Sequence, residues 1–345
     1  MALSKLVGQN KLKTRLGSVI TNSMGHAFMF TGPKNIGKET FARELAKGIL
    51  CSNPTSDGGC DDCDSCRYFN AGTHPDFSMI GFKEGSKNIK VDEIRSSIIE
   101  DEIIAPHASK HKVYLINADL LNNEGQNALL KSIEEPPKNV VFIFTVADKI
   151  KLLPTVISRC EELKIELYSE LEIEKALTNK IEENKNEENS EYSGIGEDRI
   201  RFFSIFAAGI IGNAFDLLTD KEFEELRFNV MRMMFALPSA TYTKLLYEDY
   251  KYIEENKDRM DEILLLMLWF LGDCGILIKN PEANIKNMDS KDRILSFLKS
   301  YPQFTLGKVG NCADAINEYK KNAQVNANFE CSVGNLLIRM NKEFK

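Results

Sequence analysis

A parallel-sheet α/β domain followed by an all-helical half is the architecture this sequence predicts, and three observations carry it. A glycine loop, GPKNIGKET at 32–40, lies between an apolar run and a helical pattern. Short apolar runs alternate with helical periodicity through the first half, the pattern of a sheet covered by helices. After Leu167 the strand signals stop and only helical spacing remains.

The first strand is expected at 27–30, with Phe41, Leu45, Ile49 and Leu50 at helical spacing behind the loop. Further strands are expected at 77–80, 113–116 and 140–145. Residues 171–181 read as a helix, and 182–198, EENKNEENSEYSGIGED, as a solvated polar insertion. Beyond Arg199, one apolar face is built from Phe202, Phe203, Phe206 and Ala207, a second from Phe223, Leu226, Val230, Met233 and Met234, and a third from 263–278. The segment NVMRMMFAL reads as core filler. These signals divide the chain into a nucleotide-binding-like domain at 1–167, a small helical domain at 168–222 and a larger helical domain at 223–345.

Composition narrows the function. With 44 Lys plus Arg against 51 Asp plus Glu the net charge is −7. Affinity for nucleic acid backbones comes mostly from cations that displace counterions, so tight DNA binding by this chain alone is not expected. That charge also argues against an autonomous zinc-dependent DNA-binding protein. No apolar run has the length of a signal peptide or a membrane span, so the expected location is the cytoplasm, without a membrane partner.

Of 8 cysteines, Cys51, Cys60, Cys63 and Cys66 crowd into C-x8-C-x2-C-x2-C. Such spacing lets four thiolates converge on one ion, the usual structural zinc arrangement, with no position left for a reacting water. An iron–sulfur cluster uses similar spacing but continues with x3-C-P, whereas RYFN follows Cys66.

A working P-loop reads G-x-x-x-x-G-K-[ST]: backbone amides cradle phosphates, the lysine reaches the terminal ones, and the hydroxyl ligates Mg²⁺. Gly32, Gly37 and Lys38 are in place, but Glu39 stands at the hydroxyl position and Thr40 is turned about 100° around the helix. Such ATPases also need an acidic pair after a second strand, for the metal and the attacking water. In KVYLINADLLNNE that place is held by Asn117 and Ala118, with Asp119 one position late. The phosphate loop survives while the groups for metal and water do not.

The stretch 126–160, QNALLKSIEEPPKNVVFIFTVADKIKLLPTVISRC, with HAFMFTGPKNIGK, the four cysteines and THPDF, resembles the clamp loader of bacterial DNA polymerase III and, within it, the delta-prime subunits. The hydrolysing gamma/tau subunits share the cysteine module, EEPP and SRC but keep the intact P-loop and acidic pair, a difference that favours delta-prime. The resemblance implies an AAA+ α/β domain with an inserted zinc module, a helical lid and an all-α collar, to whose terminal helices 315–340 is similar. It also implies a hetero-pentamer with gamma/tau and delta subunits, acting through the complex on the sliding clamp and primed DNA. Arg159 of SRC would then be an arginine finger reaching in trans into a gamma/tau ATP site, with Thr145 at a sensor-like position. Gly32, Gly37 and Lys38 would form a degenerate phosphate loop, zinc would be structural, and ATP with Mg²⁺ would not be used by this chain. The alternative is an active ATPase, either a gamma/tau-like motor or a loader variant in which Glu39 or Asp119 recruits the metal. His26 and His74 are expected to stabilise loops, and His107 and His111 to be solvated. Leu336, Leu337 and Met340 suit either an intrachain core or an intersubunit seam.

Overall fold

Five strands form one parallel sheet in a computed structural model of the protein, which describes residues 2–22, 25–82, 88–184, 195–324 and 328–344. They are β1 (Ala27–Thr31), β2 (Phe77–Ile80), β3 (Lys112–Asn117), β4 (Val140–Val146) and β5 (Glu161–Lys164), arranged β2-β3-β4-β1-β5. Of the three strands flanked on both sides, β1 and β4 are buried at every position and β3 at all but Asn117, as strands covered on both faces must be. Four strands lie where the sequence places them, give or take a residue. β5 is the addition: of EELK only Leu163 is buried, so it carries no apolar run to read.

Helices α1 (Asn10–Thr21), α2 (Lys38–Leu50), α3 (Asp64–Asn70), α4 (Val91–Ile94), α5 (Asn123–Glu134), α6 (Pro154–Ile157) and α7 (Glu170–Glu183) precede, connect and follow these strands. The ends of α5 and the start of α7 have local causes. The Asn122 side chain caps α5 by accepting from Gly125 N at 2.8 Å, and Pro136 and Pro137 stop it. Ser169 and Glu172 close α7 with a reciprocal capping box. After α8 (Glu197–Phe206) and α9 (Ile211–Thr219) come α10 (Lys221–Ala236), α11 (Tyr250–Glu255), α12 (Met260–Lys279), α13 (Lys291–Ser300), α14 (Leu306–Gln324) and α15 (Phe329–Phe344).

The chain's contacts divide it into two units, the first made of the described residues in 1–184 with 206–215, the second of those in 185–205 with 216–345. The segment expected as a separate lid, 168–222, is therefore shared: 170–183 and 206–215 lie with the sheet. Most of the insertion at 182–198, namely 185–194, lies outside the described residues.

The second unit is all helical and is organised around α12. This helix is apolar on most sides and buries Ile263, Leu264, Met267, Trp269 and Phe270. Aromatic pairs extend the core, with Phe235 on Phe270 at 5.1 Å and Phe304 on Phe344 at 4.0 Å. Met231, Met233 and Met234 are buried as filler, and Leu336, Leu337 and Met340 are buried within the chain. A buried carboxylate, Asp273, accepts from Lys286 N, Asn287 N and Asn287 Nδ2 at 2.7–2.9 Å. No helix among the described residues is long and apolar enough to cross a membrane.

Candidate functional site

The glycine loop leaves β1 and enters α2 through Gly37, which takes φ 99° as the N-cap, a conformation open to glycine and strained for other residues. The first amides of α2 are thereby aimed as an anion cradle. Lys38 folds back over it: its Nζ donates to Gly32 O at 2.8 Å and to Pro33 O at 2.7 Å. Burial pushes this ammonium below its ordinary value, against the pull of the Asp119 charge. Glu39 and Thr40 are both exposed. A cavity of about 280 Å³ opens beside the loop, walled by Leu6, Val7, Thr40, Phe41, Tyr168 and Phe215. The loop is further held by Asn35, whose carbonyl accepts from Gly212 N at 2.9 Å and whose Nδ2 donates to Asn213 at 3.1 Å.

At the end of β3, Asn117 donates through Nδ2 to Gly81 O at 3.2 Å, and Ala118 is buried. Asp119 lies in a 3₁₀ turn, 118–120, rather than on a continuing strand. Both its carboxylate oxygens accept from Ala147 N at 2.9 Å, and one also from Asp148 N at 3.3 Å. This carboxylate fixes the loop after β4 and so is occupied by backbone donors. Thr145 is buried on β4, in register with Asn117 on one side and Phe30 on the other.

Arg159 sits outside this cluster, in the turn between α6 and the edge strand β5. Buried Gln126 of α5 builds the approach to it. Its Oε1 accepts from Leu153 N at 2.7 Å and its Nε2 donates to Lys151 O at 3.0 Å, fixing the chain just before Pro154 starts α6. The guanidinium lies over Glu134, with Nη2 to Oε1 at 2.5 Å, while Nη1 donates to Thr155 O at 2.9 Å. Cys160 packs on the sheet core, and burial pushes its thiol up to about 12. It packs the turn onto that core.

The four cysteines converge between the end of α2 and α3. Their Sγ atoms all lie within 4.8 Å of one another, and Cys51 and Cys63 are 3.9 Å apart. A tetrahedron with Zn–S of about 2.3 Å has edges of about 3.8 Å. The donor set can hold a metal ion of that size. Supporting donors are present: Cys60 N points at Cys51 Sγ at 3.2 Å and Cys66 N at Cys63 Sγ at 3.4 Å. A Cβ on Gly59 would lie 3.1 Å from Cys66 Sγ, so this close approach favours glycine. Buried Lys47 of α2 pairs with Asp61 and ties the knuckle to the helix.

Residues 8–169 match the family model described as "DNA polymerase III, delta subunit". That matched region, 162 of the 345 residues, is similar to subunits of DNA polymerase III. The chain is 36% identical over 152 residues to the DNA polymerase III subunit delta' of Pseudomonas aeruginosa, covering 44% of this chain and 46% of that one. It is 34% identical over 174 residues to the subunit gamma of Buchnera aphidicola from Acyrthosiphon pisum, covering 50% and 47%. A DNA polymerase III gamma subunit-related protein of Thermotoga maritima overlays 97% of this chain and 100% of that one, at TM-score 0.41 and 15% identity. The chain spans about half the length of the curated relatives it matches.

Gly32, Gly37, Lys38 and Thr145 share one end of the sheet, whereas Arg159 and the cysteines stand apart from it. The 13 residues of α2 put Cys51 about 20 Å from Gly37. Sequence reasoning passed over Gln126 and Glu134 although both lie in quoted motifs, because neither residue type signals what it will touch. It also passed over Asp76 of THPDF. That carboxylate is buried and accepts from the amides of His107, Ala108 and Ser109 at 2.6–2.9 Å. His74 accepts at Nδ1 from Asp76 N and through Nε2 meets Ser65, which donates to Leu50 O, so it does stabilise a loop. His26 does likewise through Ile133 O at 3.1 Å. His111 is half-buried rather than solvated, and burial lowers its pKa.

Burial alone would raise the Asp76 pKa, but the amides of His107, Ala108 and Ser109 and the Ser109 hydroxyl outweigh it and hold the carboxyl below its ordinary value. A depressed folded pKa means its stabilisation is complete above the ordinary carboxylate range and is lost as pH falls through the folded value. Asp76→Asn is expected to cost about 1–3 kcal/mol near neutrality. In urea titrations the gap to the parent protein should shrink as the pH is lowered; a gap constant with pH would refute the assignment.

Proposed function

We propose that this chain is the delta-prime subunit of a DNA polymerase III clamp loader, a stator that hydrolyses nothing itself. It would assemble with gamma/tau and delta subunits and place Arg159 in a neighbouring gamma/tau ATP site. Through the complex it would serve ATP-driven loading of the sliding clamp onto primed DNA. The observation that carries this reading is Asp119. It is the carboxylate nearest the missing acidic pair, and it is held by the amides of Ala147 and Asp148 instead of being offered to a metal. With Asn117 and Ala118 beside it and Glu39 exposed, nothing at the phosphate loop supplies both a Mg²⁺ ligand and a base.

Under this reading Gly32, Gly37 and Lys38 form a degenerate phosphate loop, and Thr145 keeps the sensor-like position beside it without hydrolysis to report. Cys51, Cys60, Cys63 and Cys66 would hold a structural zinc ion, which would stiffen the knuckle between α2 and α3. Arg159 suits its role because a guanidinium is permanently charged and planar, matching phosphate oxygens through two nitrogens. The expected place of action is the cytoplasm.

The test is nucleotide turnover by the purified chain alone, with and without Mg²⁺, beside an intact P-loop ATPase. No turnover is expected, with binding weak or indifferent to Mg²⁺. Mg²⁺-dependent hydrolysis abolished by Lys38→Ala would make the chain a gamma/tau-like motor and overturn the stator.

A further inference from the structure

Arg159 does not stand free for a neighbour. Its Nη2 is paired with Glu134 Oε1 at 2.5 Å, and its Nη1 is spent on Thr155 O at 2.9 Å and Ser158 Oγ at 3.3 Å. Both terminal nitrogens, the ones that would meet phosphate oxygens, are thus turned inward onto this chain. Two of the three acceptors are neutral and come from the same turn. Glu134 is the charged one, and it comes from a different element, the last turn of α5.

We propose that Glu134 is a latch: it holds Arg159 withdrawn in the unassembled subunit and yields it when a neighbour's triphosphate competes for the guanidinium. The inference rests on the trans-finger reading and adds the residue that regulates it. A carboxylate carries one negative charge and a triphosphate several, so the phosphate wins wherever it comes within reach. The side chains of Arg159 and Glu134 are 35% and 44% exposed, so water replaces the pair easily. Exposed pairs of this kind hold weakly, by no more than about fivefold in an equilibrium constant. A weak latch is what a reversible finger needs, because a buried pair would keep the arginine from leaving.

The position of Glu134 supports a dedicated role. α5 also carries Gln126, which fixes the chain at 151–153, so one helix sets the path of the finger turn at its start and restrains the finger at its end. Pro136 and Pro137 stop α5 just beyond Glu134 and so hold its backbone in place.

The experiment uses the loader reconstituted with gamma/tau and delta subunits, carrying Glu134→Gln, Glu134→Asp or Arg159→Ala. Glutamine keeps the shape and one acceptor but removes the charge. The ATP concentration for half-maximal ATPase is expected to fall about two- to fivefold with Glu134→Gln, the clamp-stimulated maximum staying unchanged. Glu134→Asp should return most of the shift. If Glu134→Gln changes neither quantity while Arg159→Ala still disables the complex, the latch is wrong and the finger stands. A lowered maximum at unchanged half-saturation would also overturn the latch, making Glu134 a support for the engaged finger. If Arg159→Ala has no effect, the finger fails and the latch fails with it.

Discussion

Arg159→Ala is expected to leave the subunit folded and the loader assembled while sharply reducing clamp-stimulated ATP hydrolysis. The fold survives because the residue is half-exposed in a turn and its pairing with Glu134 is a surface one, worth at most about 1 kcal/mol. The catalytic loss is of a different order. A finger supplied in trans lowers the barrier at its site by the equivalent of about 10³ to 10⁵ in rate. How much of that reaches the bulk rate depends on coupling: a strictly ordered cycle stalls at one dead site, whereas independent sites lose only one share. Arg159→Lys should rescue poorly, since an ammonium is a point charge without the planar fork. A bulk rate unchanged by alanine, in a complex shown to contain the variant, would remove the finger assignment.

Replacing Cys60 and Cys63 by serine is expected to release one zinc ion per chain and to loosen the knuckle. Structural zinc sites contribute folding free energy directly, about 10 kcal/mol or more in isolated zinc-finger peptides. The effect here is expected to stay local. The knuckle is also tied down by Lys47 to Asp61, by Leu3 N to Asp57 O at 2.9 Å and by Ser65 to Leu50 O at 2.6 Å, none of which needs a metal. Metal analysis should find zinc in the parent and none in the variant. Amide exchange should accelerate at 51–66 and not in β1 or β4. Iron with visible absorbance in the parent would overturn the metal assignment.

The sheet was legible because its inner strands are buried on both faces, which forces runs such as VVFIFTV into the sequence. β5 was illegible for the converse reason: an edge strand may be as polar as EELK and still pair with β1. The convergence of the four cysteines and the turn of the glycine loop into α2 could be read because spacing alone sets which residues meet there. The Asp119 contacts could not, since only the fold brings residue 147 to residue 119. The division of 168–222 between the two units was equally hidden, because periodicity tells that a segment is helical and not against which neighbours it packs.

The polarity of β5 has a consequence for how this molecule keeps company. A strand at the end of a sheet offers an open row of amides and carbonyls, an invitation to pair with any exposed strand and so to aggregate. Here that border is studded with charge: Glu161 is bound to Arg15, Glu162 to Lys149 and Thr31, and Lys164 to Glu166. A second copy sliding alongside would have to strip these ions of water and partners. Indiscriminate self-association is thereby disfavoured at the border that Arg159 adjoins, and a partner must be chosen there by its side chains rather than by the backbone that every protein shares.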